Sequence, residues 1–200
     1  MLPVEKRIQS RAQYKEWVSY ELKKYQSSKL NFVLELFNIS ENAIGRKHTR
    51  LLRKTEYYKN TGKRIRYKLL NIRLKIFQNK YCLHIPLNCF EKGLRLMHVG
   101  PILVNPNCAI GEDCSLHINT ALAAGGVSDD APILGKGCVV GVGAVCLGGI
   151  TIADYVAIGA NAVVNKDVLD ENIAIAGAPA KKVSNNGSKE WNKIKKGEKQ

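Results

Sequence analysis

From Val104 onward an aliphatic or thiol residue stands at every sixth position. The series runs Val104, Ile110, Leu116 and Leu122, then, after a gap of twelve that keeps the phase, Leu134, Val140, Cys146, Ile152, Ile158 and Val164. Glycine follows that first position at Gly111, Gly135, Gly141 and Gly159, and the fifth position is small or apolar at Cys108, Cys114, Thr120, Cys138, Ala144, Ile150, Val156, Ala162 and Val168. Period six with glycine corners predicts a parallel β-helix. Six residues to a side and three sides to a turn give coils of eighteen residues, with first and fifth residues buried and residues eighteen apart stacked at about 4.8 Å. Cys108, Cys114, Cys138 and Cys146 then become small interior side chains.

Before the repeat the period changes. In the first eighty residues apolar positions recur at spacings of three and four, as in Leu30, Val33, Leu34 and Phe37, which predicts helices, with a break at Asn60-Thr61-Gly62. From Arg46 to Lys80 apolar residues alternate with Lys and Arg. That pattern predicts a helical hairpin packed on the main domain or on another subunit, or one docked on an anionic membrane or glycolipid.

The chain has 200 residues, 45% of them hydrophobic and 24% charged, with 17 Gly. This composition excludes a collagen, a continuous coiled coil and wholesale disorder. The formal charge of +14 is unevenly spread: +2 over residues 1–45, +12 over 46–80, −5 over 81–180 and +5 over 181–200. The pattern predicts a basic helical N-terminal region over residues 1–80, a mainly β domain over 81–183 and a basic, flexible tail over 184–200. A basic excess suits nucleic acid, an acidic membrane surface or a phosphorylated cofactor. Tyr57, Tyr58 and Tyr67 could stack on bases, but no recognised RNA or DNA motif accompanies them, and nucleic acid is not the expected partner.

The N-terminal segment MLPVEKRIQSRAQYKEW is charged where a secretory signal is apolar, so a cytoplasmic protein is expected, with peripheral contact to an anionic membrane as a further expectation. Gly137 to Ala153 is uncharged over 17 residues but carries five Gly and the six-residue period, and belongs to the repeat rather than to a membrane span. The six cysteines form no CxxC pair and have no histidine pair at ligand spacing, so free thiols and no metal are expected.

The segments LRLMHVGPILVNPNCAIGEDCSLH, PILGKGCVVGVGAVCLGGITIADYVAIGANAVVNKDV and AGAPAKKV resemble the hexapeptide-repeat acyltransferases over roughly residues 85–183. Within them the chain is most similar to the serine acetyltransferase branch and to the O-acetyltransferases of capsule and exopolysaccharide synthesis. The resemblance implies a left-handed coil, although strand-crossover rules favour the right hand. It also implies a homotrimer and acetyl-CoA as donor.

Extended backward from Val104, the frame places His98 where an aliphatic residue belongs. A neutral imidazole can take a proton from a hydroxyl as that oxygen attacks a thioester; the residues alone also allow a structural histidine. The resemblance makes His98 the general base. His117, one coil plus one residue further on, should lie beside it, touching acceptor or oxyanion, or facing outward in a structural role. In serine acetyltransferases an aspartate fifteen residues upstream orients the base, and here that position is Leu83. An aspartate just before the base is replaced by Met97, and the arginine-histidine pair that holds the serine carboxylate aligns with Asp130-Ala131. Glu91 is the candidate orienting group, with a backbone carbonyl as the alternative. The resemblance puts the donor along Gly126, Ala144 and Ala162, eighteen residues apart, with Ala176 and Gly177 in the closing turn and Lys181 and Lys182 at its phosphates. The expected activity is direct O-acetylation of a small-molecule or glycan hydroxyl, a capsule or exopolysaccharide sugar ahead of serine.

Overall fold

The structure, a computed structural model, describes residues 1–25, 31–126 and 128–189. Leu30 of the expected helical pattern and the tail from residue 190 lie outside the described residues. Four helices come first: α1 (Arg11–Leu22), α2 (Asn31–Phe37), α3 (Glu41–Asn60) and α4 (Arg64–Lys80). Their starts are written locally. Ser10 and Gln13 form a reciprocal capping box on α1, and the Ser40 hydroxyl accepts from the Ala43 N–H at the start of α3. The expected break is the hinge between α3 and α4, where Gly62 takes φ +71, a conformation that suits glycine.

The coils are built from β1 (Leu83–His84), β2 (Arg95–Leu96), β3 (Ile102–Val104), β4 (Ala109–Ile110), β5 (Ser115–Leu116), β6 (Thr120–Ala123), β7 (Ile133–Leu134), β8 (Val139–Val140), β9 (Val145–Leu147), β10 (Thr151–Ile152), β11 (Ala157–Ile158), β12 (Val163–Val164), β13 (Ala174–Ala176) and β14 (Lys181–Ser184). They form three faces, β1-β3-β6-β9-β12, β10-β7-β4 and β14-β13-β11-β8-β5-β2, parallel throughout except for the antiparallel closing pair β13-β14. Stacked rows such as Leu116, Val140, Ile158 and Ile175 fill the interior. Burying each such side chain contributes roughly 1.5–3 kcal/mol.

The structure changes three details of the expected frame. The glycines of the second position are not the corners: the left-handed backbone falls at the fourth position, at Asp113, Asn119, Gly137, Gly143, Tyr155 and Asn161. Gly111, Gly135 and Gly141 instead let coils approach, since a Cβ on Gly141 would lie 2.6 Å from the Ile158 carbonyl oxygen. In the first coil the frame slips, because Leu96 stacks on Leu116, twenty residues on, rather than eighteen. Finally, the start of the supposedly flexible tail is held down: Ser188 is buried, and its N–H donates to Tyr155 O at 2.9 Å.

A buried charge cluster joins the helices to the first coil. The Arg53 guanidinium donates to Glu21 (2.6 Å), Glu56 (2.9 Å) and the carbonyls of Phe90 (3.0 Å) and Glu91 (2.7 Å). The two carboxylates also accept coil N–H groups, Glu21 from Gly93 (2.9 Å) and Glu56 from Asn88 (2.7 Å). Burial opposes the Arg53 charge, but the carboxylates outweigh it and raise its pKa, while burial pushes Glu56 up against the pull of Arg53.

Candidate active site

Leu96, not His98, occupies the aliphatic slot of the first coil, and its side chain is buried. The extra residues form a bend after β2, and His98 sits in that bend with its side chain 53% exposed. The helical arm comes close at this point. Buried Tyr25 accepts the Leu96 N–H at its hydroxyl (3.3 Å), and α3 crosses it at Gly45, where a Cβ would lie 2.5 Å from the tyrosine ring. This contact carries the first turn of α3 to the bend, where the Glu41 Oε2 lies 3.1 Å from His98 Nδ1.

That geometry fixes the roles of the two ring nitrogens. An ionised carboxylate only accepts, so Nδ1 is the donor to Glu41, which in the neutral ring leaves the lone pair on Nε2. The imidazole is therefore set up to take a proton at Nε2. Beside it lies a cavity of about 200 Å³ lined by Tyr25, Glu41, Asn42, Arg95, Leu96, Met97, His98 and Val99. It is the size for a small polar molecule, and Arg95 gives it a cation. His117 follows Leu116 on the next coil, half-buried, with its ring centroid 6.0 Å from that of His98.

Other expected site residues lie elsewhere. Glu91 does not orient His98: its carboxylate pairs with Lys6 Nζ at 2.8 Å, and it lines a separate cavity with Gly111, Gly135 and Thr151. The fifth-position geometry that makes Ala144 and Ala162 small also turns them inward. Both side chains are fully buried, so a donor passing there would meet backbone groups. Gly126 is exposed with open space around it. Gly177 is exposed at φ +96 beside half-buried Ala176, and Lys181 and Lys182 are exposed on β14, Lys182 pairing with Asp170 at 3.0 Å. Gly177, Lys181 and Lys182 thus leave exposed positions around the closing turn.

Leu83 is buried core, and Asp130 is exposed and bonded to Ser128. Tyr57 stacks on Tyr14 with centroids 5.6 Å apart, which occupies a face that a base would need. Burial pushes the thiols of Cys89 and Cys146 up to about 12 and that of Cys108 up to about 11, so they stay protonated at neutral pH and make poor nucleophiles. No group of acidic, histidine or cysteine side chains placed to hold a metal occurs among the described residues.

Sequence reasoning missed Glu41 and Arg95. Glu41 follows the Ser40 cap and reads as an ordinary first-turn acid complementing the helix dipole. Arg95 reads as an outward position of a short strand, and neither residue carries a periodic signal.

No family model matches the chain. The serine acetyltransferase of Buchnera aphidicola is 30% identical over 146 residues, 71% of this chain and 52% of the relative. That of Helicobacter pylori strain J99 is 36% identical over 95 residues, 46% of this chain and 55% of the relative. The chain thus spans about half the length of the curated relatives it matches. The crystal structure of serine acetyltransferase from Brucella abortus in complex with coenzyme A superposes with a TM-score of 0.61 at 18% identity, covering 89% of this chain and 70% of that one. The chain resembles the serine acetyltransferases, and its fold is a left-handed parallel β-helix preceded by helices. The relatives' names correct the sugar-hydroxyl acceptor expected from sequence and favour serine.

Proposed function

We propose that the chain is an acetyl-CoA-dependent serine O-acetyltransferase in which His98 is the general base. The carrying observation is the His98–Glu41 pair, 3.1 Å apart, at the wall of a small cavity that also holds Arg95. Glu41 takes the place left by Leu83, fixing the imidazole from the helical arm instead of from an earlier coil. Arg95 supplies the cation for the serine carboxylate that Asp130-Ala131 does not. As the serine Oγ attacks the thioester carbonyl, its proton passes to His98 Nε2 and the imidazolium is stabilised by Glu41. When the tetrahedral intermediate collapses, the C–S bond breaks and the proton returns to the departing thiolate. Transfer is direct, since the interior cysteines are poor nucleophiles.

Gly126 and the closing-turn residues Ala176, Gly177, Lys181 and Lys182 would receive the donor, the lysines facing phosphate groups. His117, close to His98, would face the acceptor or the oxyanion. The arm over residues 1–80 and the coils over 81–183 then act as one catalytic unit. The enzyme would work in the cytoplasm as a homotrimer, with donor binding between subunits and its basic arm touching an anionic membrane.

The test is release of coenzyme A from acetyl-CoA in the presence of L-serine. Arg95→Gln should raise the KM for serine about tenfold or more with the KM for acetyl-CoA little changed, as expected when one charged contact to a carboxylate is lost. An unchanged serine KM would remove Arg95 from the acceptor site.

A further inference from the structure

We propose that α4 is a peripheral anchor that seats the protein on an anionic phospholipid surface. The helix has two opposed apolar faces. Leu74 and Phe77 are buried against the rest of the molecule, whereas Ile65 (78% exposed), Leu69 (66%), Ile72 (58%) and Ile76 (66%) point outward. At about 100° per residue these four fall within an arc of about 60°, centred opposite Leu74. Four large aliphatic side chains in one exposed row are more than a solvated helix face needs.

The charges flank this row on both sides. By the same projection Arg64, Lys68 and Lys75 border one edge of it, and Arg66, Arg73 and Lys80 border the other. No Asp or Glu occurs in the chain between Glu56 and Glu91, and Glu56 is itself buried on Arg53. Apolar residues along the centre and cations along both margins are the arrangement of a helix lying in a membrane interface, its side chains among acyl groups and its cations at anionic headgroups. No helix among the described residues is long and apolar enough to cross a membrane, so α4 would lie along the surface.

A second exposed apolar segment lies at the end of α2. Lys47 Nζ bonds Asn38 Oδ1 at 3.0 Å and lies 5.6 Å from the Phe77 ring centroid, tying the end of α2 to the last turns of α4. Leu36, Phe37 and Ile39, at and just after the end of α2, are exposed as well. Cations are crowded here: burial, then Arg73 and Lys80, depress the Lys47 pKa. The same charges select the occupant. Two copies meeting through α4 would oppose six cations with six and offer no carboxylate on that face, and a nucleic acid would leave the aliphatic row unused. An anionic lipid surface satisfies both features.

The experiment is co-sedimentation of the full chain with vesicles of phosphatidylcholine and phosphatidylglycerol in equal parts, against vesicles of phosphatidylcholine alone. Wild type should pellet with the anionic vesicles only. Leu69→Ser/Ile72→Ser should lose binding by about tenfold or more, and Lys68→Glu/Arg73→Glu likewise. All these positions are exposed and outside the catalytic site, so both variants should keep the wild-type melting profile and the wild-type response to acetyl-CoA and serine. Vesicle binding unchanged in the Ser variant would overturn the anchor, as would failure of wild type to bind anionic vesicles. A wild-type oligomer that dissociates in the Ser variant without any vesicle binding would assign the face to a second copy instead. Salt-sensitive RNA binding lost only on charge reversal, again without vesicle binding, would assign it to nucleic acid.

Discussion

The interior of the coils and the joint beneath the helical arm are both fully buried, yet they are built from opposite materials. Inside the coils, rows of Leu, Val, Ile, Ala and Cys stack with no charge among them. Beneath the arm the largest fully buried side chain is Arg53, held between Glu21 and Glu56 and bonded to coil carbonyls. Stacking is tolerant, because each row has many equivalent members. The charged joint is not, because each partner's desolvation is offset only by the others. The joint also sets where α3 lies, and hence where Glu41 meets His98, so the less tolerant region governs the site geometry.

The largest expected effect separates the two regions. Arg53→Met leaves two carboxylates buried without their cation and should cost about 3–5 kcal/mol in urea-induced unfolding. The interior deletion Leu116→Ala should cost about 2–5 kcal/mol. Activity measured under folding conditions should drop further for Arg53→Met, because the arm supplies Glu41. Equal residual activity in the two variants would break the link between joint and site.

A smaller effect isolates the arm's contribution. Glu41→Gln keeps the size of the side chain but removes the charge facing His98. We expect kcat to fall about 10- to 100-fold with KM for both substrates near wild type, since Glu41 orients and stabilises the imidazolium rather than binding substrate. A rise in serine KM at constant kcat would place Glu41 in acceptor binding instead.

The most gradual effect, small per pH unit, is a slope of stability arising within the arm. Burial, followed by the Arg53 charge, lowers the His48 pKa from its ordinary 6.5 to about 3, and Gln78 Nε2 donates to its ring at 3.1 Å. In the unfolded chain His48 takes up a proton near 6.5, while in the folded protein it stays neutral down to about 3. Stability is therefore full above about pH 6.5 and is lost as pH falls toward 3, with one such group contributing about 1.4 kcal/mol per pH unit. His48→Gln should flatten the acid limb of stability against pH by about that slope. An unchanged limb would mean that His48 is not the group taking up the proton.

How much of this was legible in the sequence follows the same division. The coil from Val104 was legible because each strand repeats the same inward position, so one periodic rule covers many residues. The rule failed at the first coil, where the bend around His98 adds residues that no later coil has. It placed Ala144 and Ala162 correctly as interior fifth positions. The joint left no trace, since Arg53, Glu21 and Glu56 look like surface charges until tertiary packing buries them. The glutamate 57 residues before His98 was hidden for the same reason: its role depends on where α3 is carried, which no local pattern encodes.

The central claim is that His98, oriented by the arm, deprotonates serine for acetyl transfer. The most direct measurement is the initial rate of coenzyme A release from acetyl-CoA with and without L-serine, for wild type and His98→Ala. Serine-dependent release in wild type, reduced about 10²- to 10⁴-fold in His98→Ala with acetyl-CoA binding retained, is the predicted result. Release that ignores serine, or a His98→Ala variant with near-normal turnover, would contradict it.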